Sequence, residues 1–273
     1  DILFVQSSLE VGPVSRSRTE FEALGARVLV AHPRAVELCT DKAAMHAALS
    51  HTTVRQPRML LPGDLEEFVA GAHALGYPAT PVCFKPPVGK GSRGFRVLRA
   101  DVDRARIILH ERPNDTTMTL SEFVDVFRTA DPFPRLMLME YVEGGELTVD
   151  ALVERGRMLA CQAKTREAID TGLAMSFRTV ERADLVAAAA TVCACLDLDW
   201  FVNVQFKGDA LLEVNPRVST FVYQDDFNLP YLGIKYALGE IGASELSEAQ
   251  RLVRPSRHTV RYYDQVFWDA PES

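Results

Sequence analysis

The order of predicted elements makes this an α+β chain with a short α/β fragment in front. Two observations carry that reading. The chain opens strand–helix–strand, a piece of a doubly wound unit. Its second half is built from strand pairs around one long helix.

The elements follow in order. Residues 2–6 are apolar and predict a strand, residues 15–24 a helix stopped by Gly25, and residues 27–31 a second strand. A helix is expected over 41–49. Asp64 and Glu67 form a capping box for the next helix, whose apolar face is Leu65, Phe68, Ala72 and Leu75 and whose end is marked by Gly76 and Pro78. Residues 82–86 read as a strand, 88–94 as a glycine-rich turn and 95–98 as a returning strand. Helices are expected over 101–110 and 120–128, with a polar loop over 111–119 between them. Residues 136–142 form an apolar strand. A Gly-Gly turn leads to a strand pair, 146–153 and 158–164. A polar loop over 164–178 precedes a long helix over 182–196. Strands at 201–206 and 211–214 and helices near 229–238 and 245–253 complete the chain.

Composition narrows the function classes. The 273 residues carry 30 Lys+Arg against 37 Asp+Glu, a net charge of −7, with 47% hydrophobic residues. At roughly 150 residues per domain this allows about two domains with real cores. The mild acidity argues against a nucleic-acid partner, and no apolar run approaches the roughly 20 residues of a membrane helix. The scattered cysteines, Cys39, Cys83, Cys161, Cys193 and Cys195, have no zinc spacing and read as reduced thiols of a cytoplasmic protein. The chain starts at Asp1, directly in a strand, so a preceding segment is expected.

Three constellations carry chemistry. In Phe84-Lys85-Pro86-Pro87-Val88-Gly89-Lys90-Gly91-Ser92-Arg93-Gly94 a lysine ends a strand, and a glycine-rich loop with a hydroxyl and two cations returns to the next strand. Glycines let backbone N–H groups approach a polyphosphate. The strand–loop–strand order excludes the P-loop and dinucleotide fingerprints, which need a helix behind the glycines. Read alone, the loop is equally a plain β-hairpin.

The second is Gln205 with Leu212-Glu213-Val214-Asn215-Pro216-Arg217. Alternation puts Val202, Val204, Phe206, Leu212 and Val214 on a buried face if the turn is the three-residue loop Gly208-Asp209-Ala210. Gln205 then lies across from Glu213 with Asn215 beyond it. One carboxylate and two amide oxygens suit Mg²⁺, which completes its shell with phosphates and water, and Arg217 adds a fixed cation. A polar outer sheet face is the alternative. The third, Met139-Glu140-Tyr141-Val142-Glu143-Gly144-Gly145-Glu146, is a strand running into a turn with acids at both ends. Those acids can accept hydrogen bonds from an exocyclic amine and a ribose, or be merely solvated.

In this order the segments resemble the ATP-grasp superfamily, above all its members similar to the carbamoyl-phosphate synthetase large subunit. Leu38-Cys39-Thr40-Asp41-Lys42 resembles that family's first phosphate lysine. The resemblance implies an α+β ATP-grasp fold, two α+β lobes clasping ATP, preceded by the C-terminal part of a pre-ATP-grasp α/β domain. Residues 1–38 would be that part, 39–117 the first lobe with its glycine-rich lid, and 118–273 the second lobe.

It also implies roles. Lys42 and Lys85 would hold phosphates under a lid with Gly89, Gly91 and Ser92. Glu140, Tyr141 and Val142 would meet adenine, and Glu146 the ribose. Gln205, Glu213 and Asn215 would bind Mg²⁺, or Mn²⁺ in its place. Arg217 would steady the transferred phosphoryl group, and Lys164 would contact phosphate or substrate. Residues 221–230, with Ser219 and Thr220, would line the acceptor pocket. The implied activity is ATP-dependent joining of a carboxylate to an amine, or a thiol, through an acyl phosphate. A regulatory ATP-binding module or a split synthetase subunit is the alternative. Many relatives carry a carboxylate where Gln205 stands. Small-molecule substrates are the expected partners, with a homodimer as the assembly frequent among similar proteins.

Overall fold

The computed structural model describes residues 1–89, 91, 93–111, 116–170, 173–218 and 227–268. The front of the chain is a parallel pair, β1 (Ile2–Phe4) beside β2 (Arg27–Leu29). Between them lie two helices, α1 (Val11–Arg16) and α2 (Arg18–Ala23), where the sequence predicts one. Ser17 leaves helical geometry, and its carbonyl accepts from the Glu20 and Phe21 N–H groups, so the second helix starts afresh. The unanticipated α3 (Pro33–Thr40) opens with Pro33, whose missing N–H would be unpaired at a first turn anyway. In α4 (Lys42–Ala48) the Asp41 carboxylate accepts from the N–H groups of Ala43 and Ala44 at 2.9 and 3.1 Å.

The middle of the chain builds a five-stranded sheet from β3 (Met59–Leu60), β4 (Val82–Lys85), β5 (Arg96–Leu98), β6 (Thr117–Met118) and β7 (Met137–Glu140), in the order β3-β7-β4-β5-β6. The expected loop over 111–119 thus contributes β6, parallel to β5, while residues 112–115 lie outside the described set. Three helices belong to this region: α5 (Leu65–Ala74), α6 (Arg104–His110) and α7 (Leu120–Phe127). Phe68 of α5 stacks on Phe123 of α7 at 3.8 Å, above Phe84 and Leu138 of the sheet. At the start of α5 the Asp64 carboxylate caps Glu67 N–H, but the Glu67 carboxylate bonds Gly63 N–H, so the reciprocal half of the expected box is displaced by one residue. The full capping box is Thr119 with Glu122, ahead of α7. Because β7 hydrogen-bonds in this sheet, a boundary between 117 and 118 would cut through it. The chain changes sheets between Glu140 and Glu146.

A six-stranded antiparallel sheet follows. Its strands are β8 (Glu146–Glu154), β9 (Arg157–Asp170), β10 (Leu173–Arg178), β11 (Trp200–Lys207), β12 (Ala210–Asn215) and β13 (His258–Val260), in the order β12-β11-β8-β9-β10-β13. The expected loop over 164–178 is instead the end of β9 and all of β10. Its hydroxyls and charges misread as loop because one face of this hairpin is polar. The helices here are α8 (Ala183–Cys195), α9 (Leu229–Leu238) and α10 (Ala243–Gln250).

The faces of this sheet differ. Leu147, Val149, Ala151, Val202, Val204 and Phe206 pack with α8 and with Val36, Cys39, Met45 and Leu49 of the front of the chain. The opposite face carries a second apolar cluster, with Leu152, Phe201, Phe227 and Leu229, and a polar patch. All five cysteines are free thiols. Among the described residues no helix is long and apolar enough to cross a membrane.

Candidate functional site

A cavity of about 730 Å³ opens between the two sheets, within the range of small-ligand pockets. Of the residues singled out in the sequence, it gathers Lys42, Lys85, Gly89, Gly91, Glu140, Tyr141, Val142, Glu146, Gln205, Glu213, Asn215 and Arg217. Ser92, Ser219 and Thr220, and residues 221–226, lie outside the described set. In a chain of net charge −7, the described residues of the lining include six cations, Lys42, Lys85, Arg93, Arg166, Lys207 and Arg217, against three carboxylates, Glu140, Glu146 and Glu213. Concentrated positive charge in a concave site selects a polyanion.

Secondary structure places each group. Lys42 is the first residue of α4. Its backbone N–H donates to Pro87 O and its Nζ to Gly89 O, both at 3.0 Å, tying the glycine-rich loop to the helix start. That loop closes at Gly94, which has φ +75°, and a Cβ there would sit 2.7 Å from Pro86 Cδ. Lys85 ends β4. Burial pushes its pKa below the ordinary lysine range despite the attraction of Glu213.

The opposite wall comes from β11 and β12, where Gln205 pairs with Glu213 and Asn203 with Asn215. The expected pairing of Gln205 with Glu213 is therefore met, by a different turn. Lys207 pairs with Ala210 across a two-residue turn, and a bulge between Gln205 and Phe206 absorbs the extra residue. Leu211 in consequence joins the core, and Leu212 faces the cavity instead.

Glu213 lies 3.6 Å from Lys42 Nζ and accepts from Asn215 Nδ2 at 3.2 Å. Burial alone would raise its pKa, but Lys42, Lys85 and the Asn215 hydrogen bond hold it below the usual carboxylate value. Gln205 donates from Nε2 to Asn203 Oδ1 at 2.8 Å, and its Oε1 accepts from Arg166.

At the end of β7, the Glu140 carboxylate accepts from Arg58 Nε at 2.8 Å. Lys207 Nζ sits 5.2 Å from the centroid of the Tyr141 ring. Gly144, at φ +114°, lets this turn approach the β11–β12 turn, where Gly208 N–H donates to Gly145 O at 2.9 Å. Arg217 donates from Nε to Ser8 Oγ at 2.7 Å, so the loop ahead of α1 reaches the site.

Lys164 is the exception. It does not line the cavity: its side chain is 2% exposed, 2.5 Å from Asp150 Oδ2 and 4.7 Å from the Phe177 ring centroid. Asp150 also accepts from Asn203 Nδ2 at 2.7 Å. The lysine is consumed by a buried ion pair on the sheet, and its neighbour on the same strand face, Arg166, occupies the cavity wall.

Sequence reasoning placed Arg166 beside Lys164 in a polar loop facing the site without giving it a role, and it missed Asn203, Asp150, Lys207 and Ser8. For Asp150 and Arg166 a signal exists. Thr148 and Asp150, then Gln162, Lys164 and Arg166, put polar groups at every second position of otherwise apolar strands.

Comparison with known proteins agrees with this architecture. Residues 132–261 match the family described as ATP-grasp in the biosynthetic pathway with Ter operon. Human carnosine synthase 1 is 33% identical over 123 residues, 39% of this chain and 14% of that one. The carbamoyl phosphate synthase large chain of Xanthomonas campestris pv. campestris is 24% identical over 215 residues, 74% of this chain and 19% of that one. The chain thus spans under a fifth of the length of these two relatives.

The biotin carboxylase domain of Hydrogenobacter thermophilus 2-oxoglutarate carboxylase, solved with MgADP, ADP and bicarbonate, superimposes with TM-score 0.69 at 16% identity. That match covers 94% of this chain and 57% of the other. With two sheets enclosing a cation-rich cavity, the chain has the fold of the ATP-grasp proteins it superimposes on, and its residues 132–261 match an ATP-grasp family in sequence.

Proposed function

We propose that this chain is the ATP-binding and phosphoryl-transfer part of an ADP-forming ligase that joins a carboxylate to an amine or thiol. The observation that carries the reading is the set of six described cations that line one cavity between two sheets together with Glu213 and Asn215. Phosphoryl transfer needs positioning and charge neutralisation more than a covalent catalyst, and this lining supplies both.

Lys42 and Lys85 bind the phosphate chain from the first sheet's side, and Arg217, oriented by Ser8, faces the transferred group. Backbone groups at Gly89 and Gly91 approach the phosphates as the loop over 86–94 closes and excludes water, which would otherwise hydrolyse an acyl phosphate. The backbone at Glu140, Tyr141 and Val142 meets the adenine edge. The Glu140 carboxylate is turned to Arg58, which favours a main-chain contact there. Glu146, at the start of β8, takes the ribose.

The donor chemistry fits Mg²⁺, or Mn²⁺, at Glu213 and Asn215: hard oxygens, one ionised and held so by its neighbours. That ion would neutralise charge on the terminal phosphates.

In the proposed reaction a substrate carboxylate oxygen attacks the terminal phosphorus of ATP and the bond to the ADP oxygen breaks. The amine nitrogen then attacks the acyl carbon, phosphate leaves, and the amine loses a proton. A carboxylate labelled with heavy oxygen must therefore pass one label into inorganic phosphate. Label that stays wholly in the product contradicts the acyl phosphate. The short span against the relatives favours one further reading, in which another part of a longer protein supplies the acceptor pocket.

A further inference from the structure

Gln205 has one side-chain oxygen, and that oxygen accepts a hydrogen bond from Arg166. Its amide nitrogen is used as well, donating to Asn203. Arg166 also lies 3.6 Å from Glu146 Oε2, and its side chain is only 11% exposed. A divalent ion on the Gln205 oxygen would sit against a guanidinium in a low-dielectric wall, where repulsion is strong.

The described carboxylates of the cavity do not offset a second such ion. Among the described residues of the cavity, Glu140 is paired with Arg58 and Glu146 with Arg166, which leaves Glu213, itself 3.6 Å from Lys42. We propose that Arg166 stands in for a second divalent cation: the site takes one metal ion per nucleotide, on Glu213 and Asn215, and the Arg166 guanidinium contacts the nucleotide phosphates directly. This rests on the proposed nucleotide reading and departs from the expectation that Gln205 is a metal ligand. A planar guanidinium suits the role because it pairs with phosphate oxygens in a fixed fork and keeps its charge.

The test is the number of Mn²⁺ ions retained per bound non-hydrolysable ATP analogue, measured by dialysis and metal analysis. Nucleotide affinity is measured by calorimetry on the same samples. Wild-type protein is expected to hold one Mn²⁺ per nucleotide, and the double variant Gln205→Glu with Arg166→Met two. Arg166→Met alone is expected to weaken nucleotide binding roughly ten- to a hundred-fold, the loss of hydrogen bonds to a charged group, with Arg166→Lys recovering part of it.

Two Mn²⁺ ions per nucleotide in the wild type overturn the proposal, because Gln205 must then release Arg166. Unchanged nucleotide affinity in a folded Arg166→Met overturns the phosphate contact. The wild-type count stands without any variant. A protein that binds no nucleotide at all refutes the nucleotide reading itself, a distinct result from two metals on a bound nucleotide.

Discussion

The two sheets that enclose the cavity are built on opposite plans. In the five-stranded sheet the strand interiors are apolar on both faces, Val82, Phe84 and Leu138 on one and Cys83, Val97 and Met137 on the other. Its site groups, Lys85 and Glu140, stand at strand ends. The six-stranded sheet buries polar side chains inside its strands: Thr148, Asp150, Gln162, Lys164 and Asn203 are all 1–3% exposed. Charges at strand ends keep part of their surface open to solvent, although burial still lowers the pKa of Lys85. Charges within strands are stable only when paired and hydrogen-bonded. The first sheet is a packed platform, and in the second Thr148, Asp150, Lys164 and Asn203 form a polar floor whose members depend on one another.

Breaking the floor should cost most. Lys164→Met leaves Asp150 buried without its cation and is expected to lower stability by about 3–5 kcal/mol, read as a shift in the urea midpoint. The paired change Lys164→Met with Asp150→Leu should recover most of that loss, because two desolvated charges are removed together. A single variant as stable as the wild type would show that the pair is not buried as described.

In the platform, Leu138→Ala is a simple cavity mutation and is expected to cost about 3 kcal/mol. No second change of charge should rescue it. The sheets also differ in how pH reaches the site. Burial holds Lys85 below the ordinary lysine range, so its charge is lost as pH rises, before that of an exposed lysine. Nucleotide affinity should therefore decline on the alkaline side earlier than free lysines titrate, and Lys85→Arg should flatten that decline. An unchanged profile in the variant would place the titrating group elsewhere.

The smallest effect is expected at the rim of the platform. Thr119→Ala removes the side-chain half of the capping box on α7 and should cost about 1 kcal/mol in thermal or urea unfolding, without altering nucleotide binding.

What was legible in the sequence follows the same division. Lys85, Glu140 and Glu146 stand where a strand meets a turn, and local signals mark such places. Gln205 and Glu213 were placed across from each other because alternation fixes register even when the turn is misjudged. The bulge after Gln205, which moved Leu211 into the core, has no local signature. The polar hairpin of β9 and β10 looked like a loop because its burial comes from elements far along the chain. Arg217 bonds to Ser8, 209 positions away, and no short-range pattern carries such a contact. Lys164 and Arg166 share one strand face, and only the position of Asp150 decides which of them is consumed in an ion pair and which lines the cavity.

The most direct measurement of the proposed ligase activity is ADP and phosphate release by the full-length protein. It uses Mg²⁺, ATP and a panel of amino acids and small carboxylic acids, with Glu213→Ala beside the wild type. Release is expected to need a particular acid together with an amine or thiol and to vanish in the variant. ATP binding with no acid-dependent turnover, or turnover that survives Glu213→Ala, would contradict the proposed activity.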